Sequence, residues 1–448
     1  MKVGNSIRIN KLVTKVCKMF GKNGSVYPGY ILYDVLKQKD VLNKINYPKI
    51  VIAVTGSSGK GSTTDLINHI LTDAGYDVCY NKSGSNGVLA ATTLILNNCD
   101  KNGNFLHDVL LLECDERHLK LIFDKKKPTH LIITNMTRDQ PSRNGHPDLV
   151  FKDVVDSIGE ETTLILNSDD PLVNRLKYTK KNKVITYGLD KSHDSYERIT
   201  NIYPDYAYCP LCHNKLVYKY YNYGHIGNYE CPECDFKRGK VDYEVKNINY
   251  DKKEIDINRN KIYLNKNVLY AVYYTVAAYA ACKEIGISEE VIKEAINRDK
   301  QESKRGKELL LDGRKLTMLE SKNENNLSYY QSIKYITSQK GTKTVILGFD
   351  NVSRRYKYND LSWLWDVNFE MLDDSNIDKI LVIGRFRYDV ATRLELAGIK
   401  DDKMILVDDF NNLLNIVKNT KGEIYTMVCF DMTGNILNLI KEESNEEV

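Results

Sequence analysis

The sequence has no apolar run near the roughly 20 residues that a membrane-spanning helix needs. It has no block of like charge either. Its 64 Lys and Arg against 60 Asp and Glu leave a formal net charge of +4, which gives no support to a nucleic-acid or membrane-surface role for the whole chain. No internal repeat or low-complexity linker is present, so solenoid and tethered-array architectures are excluded. The start, Met1 to Gly21, is basic and mildly amphipathic but lacks the continuous apolar core of a signal peptide. A cytoplasmic protein is expected. What is present is ordinary globular composition, 42% hydrophobic and 28% charged, in 448 residues, enough for two or three domains.

From about residue 48 the pattern alternates between short apolar runs and helical periodicity. Ile50-Val51-Ile52-Ala53-Val54 ends at Thr55-Gly56, and Leu66, Ile67, Ile70, Leu71 and Ala74 then recur at helical spacing. Further apolar runs are Val109–Leu112, Leu131–Ile133 and Leu164–Leu166. Strands apolar throughout, alternating with helices, predict a parallel sheet covered on both faces. Residues 200–240 differ, being rich in Tyr, Cys, Gly and Pro, and an Ala-rich helix is expected over Val272–Ile285. Beyond Arg305-Gly306, a hairpin over Glu308–Leu319 turning at Asp312-Gly313 opens a second α/β region. Its strands are expected at Val345–Leu347, Ile380–Ile383 and Tyr425–Phe430.

The residues Gly56-Ser57-Ser58-Gly59-Lys60-Gly61-Ser62-Thr63 stand between the first strand and its helix, where a phosphate-cradling P-loop must stand. Glycines let backbone N–H groups close on phosphate oxygens while the helix N-terminus adds positive potential. Lys60 would reach the terminal phosphates of ATP, and Ser62 or Thr63 would offer a hydroxyl to Mg²⁺. Gly61 departs from the general pattern, which places Ser or Thr directly after the lysine. The following strands also end in polar residues: Glu113, Asp115 and Glu116; Asn135, Arg138 and Asp139; Asn167, Asp169 and Asp170. Carboxyl ends of parallel strands line the ligand crevice. Glu113 is the candidate Mg²⁺ carboxylate, whereas Asp169-Asp170-Pro171 suits either the crevice or a helix start.

Of the ten cysteines, Cys209, Cys212, Cys231 and Cys234 form two Cys-x-x-Cys pairs spaced as a four-thiolate zinc ribbon; the others are scattered in apolar stretches such as Val78-Cys79. A closed four-thiolate site is structural rather than catalytic. His213 and His225 are surplus to it. Both tryptophans lie in Leu361-Ser362-Trp363-Leu364-Trp365-Asp366, which suits either packing or a docking surface.

Together these motifs resemble the Mur ligase superfamily, more closely its MurT ligase subunits, with the archaeal pseudomurein peptide ligases as relatives. The Thr55–Thr64 loop, Glu113, Asn167 and Asp169-Asp170-Pro171 carry the resemblance, as do the ribbon stretch Gly224–Cys234 and the segments Ser362–Glu370 and Gly384–Leu394. It implies a P-loop central domain over 48–304 with a zinc ribbon inserted at about 203–240. An N-terminal helical segment over 1–47 would precede it, and a smaller Rossmann-like α/β domain over 305–448 would follow. Further implications are nucleotide contacts from Asn167 and Asp169, and amide-bond formation on a cell-wall precursor through an acyl phosphate. The amine would be ammonia or an amino acid. A glutaminase subunit docking on the C-terminal domain is implied too, with Asp366 completing its catalytic Cys–His pair. Departures fall on the substrate side: Asp139-Gln140 runs into Pro141-Ser142, Ala271–Tyr274 replaces an Asn-rich helix start, and Lys322–Asn326 is altered. The rival readings are a regulatory P-loop switch and a zinc-ribbon nucleic-acid binder using Tyr218–Tyr223.

Overall fold

The computed structural model describes residues 1–82, 85–198, 206–266, 268–298, 307–320, 325–350 and 359–444. Two compact units emerge. The first comprises Met1–Thr137, Pro147–Arg198 and Asp205–Gln301; the second comprises Arg138–His146, Ile199–Pro204 and Glu302–Val448. The segment Arg138–His146 thus groups with the C-terminal half, which its position in the sequence did not suggest.

The apolar runs form the strands β1 (Ile50–Thr55), β2 (Val78–Tyr80), β3 (Val109–Glu113), β4 (His130–Ile133), β5 (Thr163–Asn167) and β6 (Val184–Leu189). After a two-stranded hairpin, β7 (Val217–Tyr223) and β8 (Ile226–Glu230), come β9 (Tyr243–Asn249), β10 (Glu254–Ile257) and β11 (Asn260–Tyr263). The main sheet has the order β11-β10-β9-β6-β5-β4-β1-β3-β2. Its pairs are parallel from β2 across to β9. Only the edge pairs β9·β10 and β10·β11 are antiparallel. Residues such as Ile52, Leu111, Ile132 and Ile165 have no exposed surface, which is why these strands carry no polar alternation. The chain leaves β1 toward β2 on one side and leaves the adjacent β4 toward β5 on the other, which opens a crevice at the carboxyl ends of β1 and β4.

The N-terminal segment belongs to this core. Ile7, Leu32, Val41, Leu42 and Ile45 pack in one cluster with Val51, Ala53, Leu110 and Leu112. Gly29 sits where only glycine fits, since a Cβ would fall 2.0 Å from the Leu89 carbonyl oxygen. The Ala-rich helix spans Leu269–Ile285, and small residues let it lie buried along most of its length. The ribbon's hairpin has a small core of its own: Cys209, Leu216, Tyr229, Cys231 and Phe236. The first residues of the expected insert, 203–205, lie outside the described residues.

In the second unit the hairpin forms as expected. Strands β12 (Lys307–Leu311) and β13 (Arg314–Glu320) pair antiparallel. They turn through Asp312 (φ 54) and Gly313 (φ 65), the positive-φ pair that a tight right-twisted hairpin demands. With β14 (Lys343–Gly348), β15 (Ile377–Ile383), β16 (Met404–Leu406) and β17 (Glu423–Val428), they form a six-stranded sheet of order β12-β13-β17-β14-β15-β16. All its pairs except β12·β13 are parallel. The last strand stops at Val428, short of the expected Phe430, because Phe430 already opens the helix Phe430–Ser444.

Candidate active site

The loop after β1 closes against the segment that follows β4. Gly56 (φ 129) faces that segment so closely that a Cβ would lie 2.2 Å from Thr134 Oγ1 and 2.7 Å from the Asn135 carbonyl oxygen. Four bonds hold the loop open in shape. The Ser57 amide donates to the Asn135 carbonyl (2.9 Å) and the Ser58 amide to Asn135 Oδ1 (3.0 Å). Asn135 Nδ2 and Thr134 Oγ1 both donate to the Ser58 carbonyl (3.0 and 2.7 Å). Gly59 (φ 81) then starts the helix Lys60–Asp73. Thr134 and Asn135 thus support the loop, a role the sequence reading did not assign them.

Lys60 is buried. Its ammonium donates to Glu116 Oε1 at 2.8 Å and to the Gly56 carbonyl. The same Glu116 oxygen accepts the Gly56 amide at 3.0 Å. Glu116 therefore positions both the lysine and the loop's first amide, whereas the sequence showed it only as one acidic residue in the crevice.

Glu113 ends β3, cross-bonded through its backbone to the Asn81 side chain in both directions (2.8 Å each). Asn86 Nδ2 donates to its Oε1 at 3.1 Å, and its Oε2 lies 3.2 Å from where a Cβ on Gly61 would be. The glycine after the lysine thus makes room for this carboxylate against the helix's first turn. Thr63 gives its hydroxyl to the Gly59 carbonyl (2.9 Å), whereas Ser62 makes no hydrogen bond among the described residues and is partly exposed.

Asn167 ends β5 and Asp169 follows it. Asn167 is fully buried, bonded to the Thr134 carbonyl (2.9 Å) and to the Asp169 amide (3.1 Å). Asp169 is also fully buried. It accepts Arg238 Nε (2.7 Å), the Leu189 amide (2.8 Å), and the hydroxyl of Tyr273 (2.7 Å), which burial keeps protonated. Both side chains make internal contacts. Asp169 joins the ribbon (Arg238, Asn222) to the sheet and to the altered helix start at Tyr273. The adjoining Asp170 is a helix cap, accepting the Leu172 amide at 2.9 Å ahead of Pro171. His225 is buried with Nε2 3.4 Å from Asp170, not in a loop at the surface.

The four ribbon cysteines meet. Their Sγ atoms all lie within 4.8 Å of one another, with Cys209–Cys234 at 3.6 Å and Cys212–Cys231 at 3.4 Å. Tetrahedral zinc thiolates would stand about 3.8 Å apart, from Zn–S bonds of about 2.3 Å. The donor set fits that ion. Hydrogen bonds from Asn214, backbone first and side chain second, lower the Cys212 thiol to about 6, whereas Cys209 is raised by burial and Cys234 is pushed up to about 12 by burial and the neighbouring thiols.

In the second unit, Asp366 closes the short helix Ser362–Asp366, with its side chain 13% exposed and gripped at both oxygens by Arg138 Nη1 (3.1 and 2.8 Å). Asp139 Oδ1 accepts Asn325 Nδ2 at 2.8 Å, and Asn325 caps the helix Asn326–Ser338. Lys322–Glu324 lie outside the described residues. The two tryptophans divide: Trp363 is buried among Tyr329 and Phe349, whereas Trp365 is exposed beside Arg393.

Comparison with known proteins adds to this geometry. Residues 54–215 match the Mur ligase middle domain and residues 323–431 the MurT ligase C-terminal domain. The MurT subunit of lipid II isoglutaminyl synthase (glutamine-hydrolyzing) from Staphylococcus aureus is 27% identical over 404 residues, 89% of either chain. Its Streptococcus pneumoniae counterpart is 26% identical over 402 residues, 88% of this chain and 87% of that one. A pseudomurein peptide ligase type C from Methanothermus fervidus superposes with a TM-score of 0.68 at 18% identity, covering 91% of this chain and 81% of the other. MurF ligase from Thermotoga maritima, in complex with ADP, gives 0.58 at 15% identity over 93% and 84%. These superpositions establish the fold.

Proposed function

We propose that this chain, a Mur-type ligase by its middle domain and MurT-like in its C-terminal domain, uses ATP to join a carboxylate of a cell-wall precursor to an amine. The observation that carries this reading is the loop itself. A buried lysine, a row of loop amides and the Glu113 carboxylate meet at the carboxyl end of β1 in a parallel sheet. ATP supplies the phosphoryl group that turns the carboxylate into an acyl phosphate, and attack of the amine then expels phosphate. The chain's own part is positioning and charge neutralisation. The amides of 59–61 and the helix N-terminus hold phosphate oxygens. Lys60 turns from Glu116 to the terminal phosphates, while Glu113 and Ser62 hold Mg²⁺. The ribbon cysteines Cys209, Cys212, Cys231 and Cys234 hold a structural Zn²⁺ and take no part in the reaction. We assign ATP binding to 48–304 and the MurT-like function to 305–448, and place the enzyme in the cytoplasm.

Two amines remain in contention, ammonia delivered by a glutaminase subunit or an amino acid added directly. The grip of Arg138 on Asp366 favours the amino acid, because a carboxylate so engaged is not presented to a partner's Cys–His pair. Phosphate release by the purified chain, with murein or pseudomurein precursors and either ammonia or single amino acids, tests both levels. Turnover only with an amino acid supports peptide ligation. Turnover with ammonia, raised by a glutaminase and glutamine, restores Asp366 to the partner-completing role. ATP hydrolysis that ignores every carboxylate substrate would overturn the ligase reading in favour of a nucleotide-driven switch.

A further inference from the structure

The helix Val3–Met19 carries apolar side chains on its outward face as well as its inward one. Its inward stripe is mixed: Ser6, Ile7, Asn10 and Thr14 are buried, with Asn10 Nδ2 donating to the Thr93 carbonyl (3.0 Å) and to Asn97 Oδ1 (2.9 Å). Its outward stripe is apolar. Leu12, Val16, Met19 and Phe20 recur at i, i+4, i+7 and i+8, and they are 63%, 42%, 76% and 78% exposed. Apolar side chains this exposed in one row mark a contact surface.

The neighbouring stripe specifies the contact. Arg8, Lys11, Lys15 and Lys18 recur at i, i+3, i+7 and i+10, with Lys22 just beyond the helix, and all five are exposed. No Asp or Glu occurs before Asp34, so the local charge is strongly positive although the whole chain carries only +4. Lys11 donates to the Cys99 carbonyl (2.7 Å), and none of the five forms an ion pair among the described residues. Exposed Tyr27 and Tyr30 follow on the adjoining turn, and such rings favour the headgroup level of a bilayer. No helix is long and apolar enough to cross a membrane.

We propose that this helix docks the protein on an anionic lipid surface. It lies in the plane of the interface, with Leu12, Val16, Met19 and Phe20 dipping among the acyl chains and the basic stripe against lipid phosphates. Long lysine stems reach the phosphates while their methylenes cover apolar surface. The inference rests on this surface alone and stands whether or not the ligase reading does. Expected balance of charge over the whole chain concealed it, because the acidic residues lie elsewhere in the sequence.

The test is co-sedimentation of the full chain with phosphatidylcholine vesicles, with and without phosphatidylglycerol. Binding is expected only with the anionic lipid, weakening as salt rises. Lys15→Gln/Lys18→Gln should lower it about 30-fold, from about 1 kcal/mol per basic residue near an anionic surface. Met19→Ser/Phe20→Ser should lower it at least about tenfold through lost apolar burial. Both variants should keep the parent's thermal midpoint and ATP turnover on soluble substrates. Equal binding to neutral and anionic vesicles, or binding indifferent to either variant, overturns the proposal. So does concentration-dependent self-association without lipid that Met19→Ser/Phe20→Ser abolishes, since a second copy would then cover the face.

Discussion

Replacing Arg238 by Met should unfold the first unit more easily without touching ATP affinity. Asp169 has no exposed surface and the Arg238 side chain is 4% exposed, joined at 2.7 Å. Taking away the guanidinium leaves a buried carboxylate with hydrogen bonds from Leu189 and Tyr273 but no counter-charge. Breaking one side of a buried pair costs about 3–5 kcal/mol. At about 2–4 °C per kcal/mol for a unit of this size, the thermal midpoint should fall by about 6–20 °C. Asp169→Asn/Arg238→Met removes the stranded charge and should recover part of the loss, because the two effects are coupled. Calorimetry or circular dichroism measures the midpoints, and initial rates give the ATP KM, expected to change less than about twofold since Asp169 offers nothing to solvent. A double variant no more stable than Arg238→Met would refute the ion-pair reasoning. An Asp169→Asn variant of normal stability with a raised ATP KM would return Asp169 to the nucleotide site.

Lys60→Ala should cut turnover by about 100- to 1,000-fold, the size of losing one preorganised charge from a transition state, with the fold retained by circular dichroism. Glu113→Gln should lower kcat and raise the Mg²⁺ concentration for half-maximal rate, measured by phosphate release across a Mg²⁺ titration. Metal analysis should find zinc in the ribbon. Cys231→Ser should lose it and lower the thermal midpoint, while ATP KM in the surviving folded protein stays near the parent's. Trp363→Ala should destabilise the second unit by about 3–5 kcal/mol and Trp365→Ala by under about 1 kcal/mol, read from denaturant unfolding.

The phosphate loop and the ribbon were legible because their chemistry is local in sequence. A P-loop needs its glycines and lysine within a few consecutive residues after a strand, and a ribbon announces itself by pairs of cysteines two apart. The Asp312-Gly313 hairpin was legible for the same reason, since its turn demands positive φ at both residues. Glu116, Thr134 and Asn135 were visible only as polar residues after apolar runs. Which of them touches the loop depends on β1 lying between β3 and β4, a pairing order that no periodicity encodes. Asp169 and Asp170 read alike from sequence as adjacent acidic residues after a strand, while the structure turns Asp169 to a partner 69 residues away and Asp170 to a local helix cap.

The residue pattern alone determined the parallel α/β class, the phosphate loop, the thiolate cluster and the second α/β region, because each follows from periodicity or short spacing. Only the tertiary structure decided what the charges do. It set Lys60 against Glu116, gave Glu113 the space that Gly61 leaves, sent Asp169 inward to Arg238, and turned the apolar stripe of the first helix outward. The physical reason is that a charge or an apolar face acquires its role from whatever the fold brings against it. For these residues, that neighbour is distant in sequence or is not part of the chain.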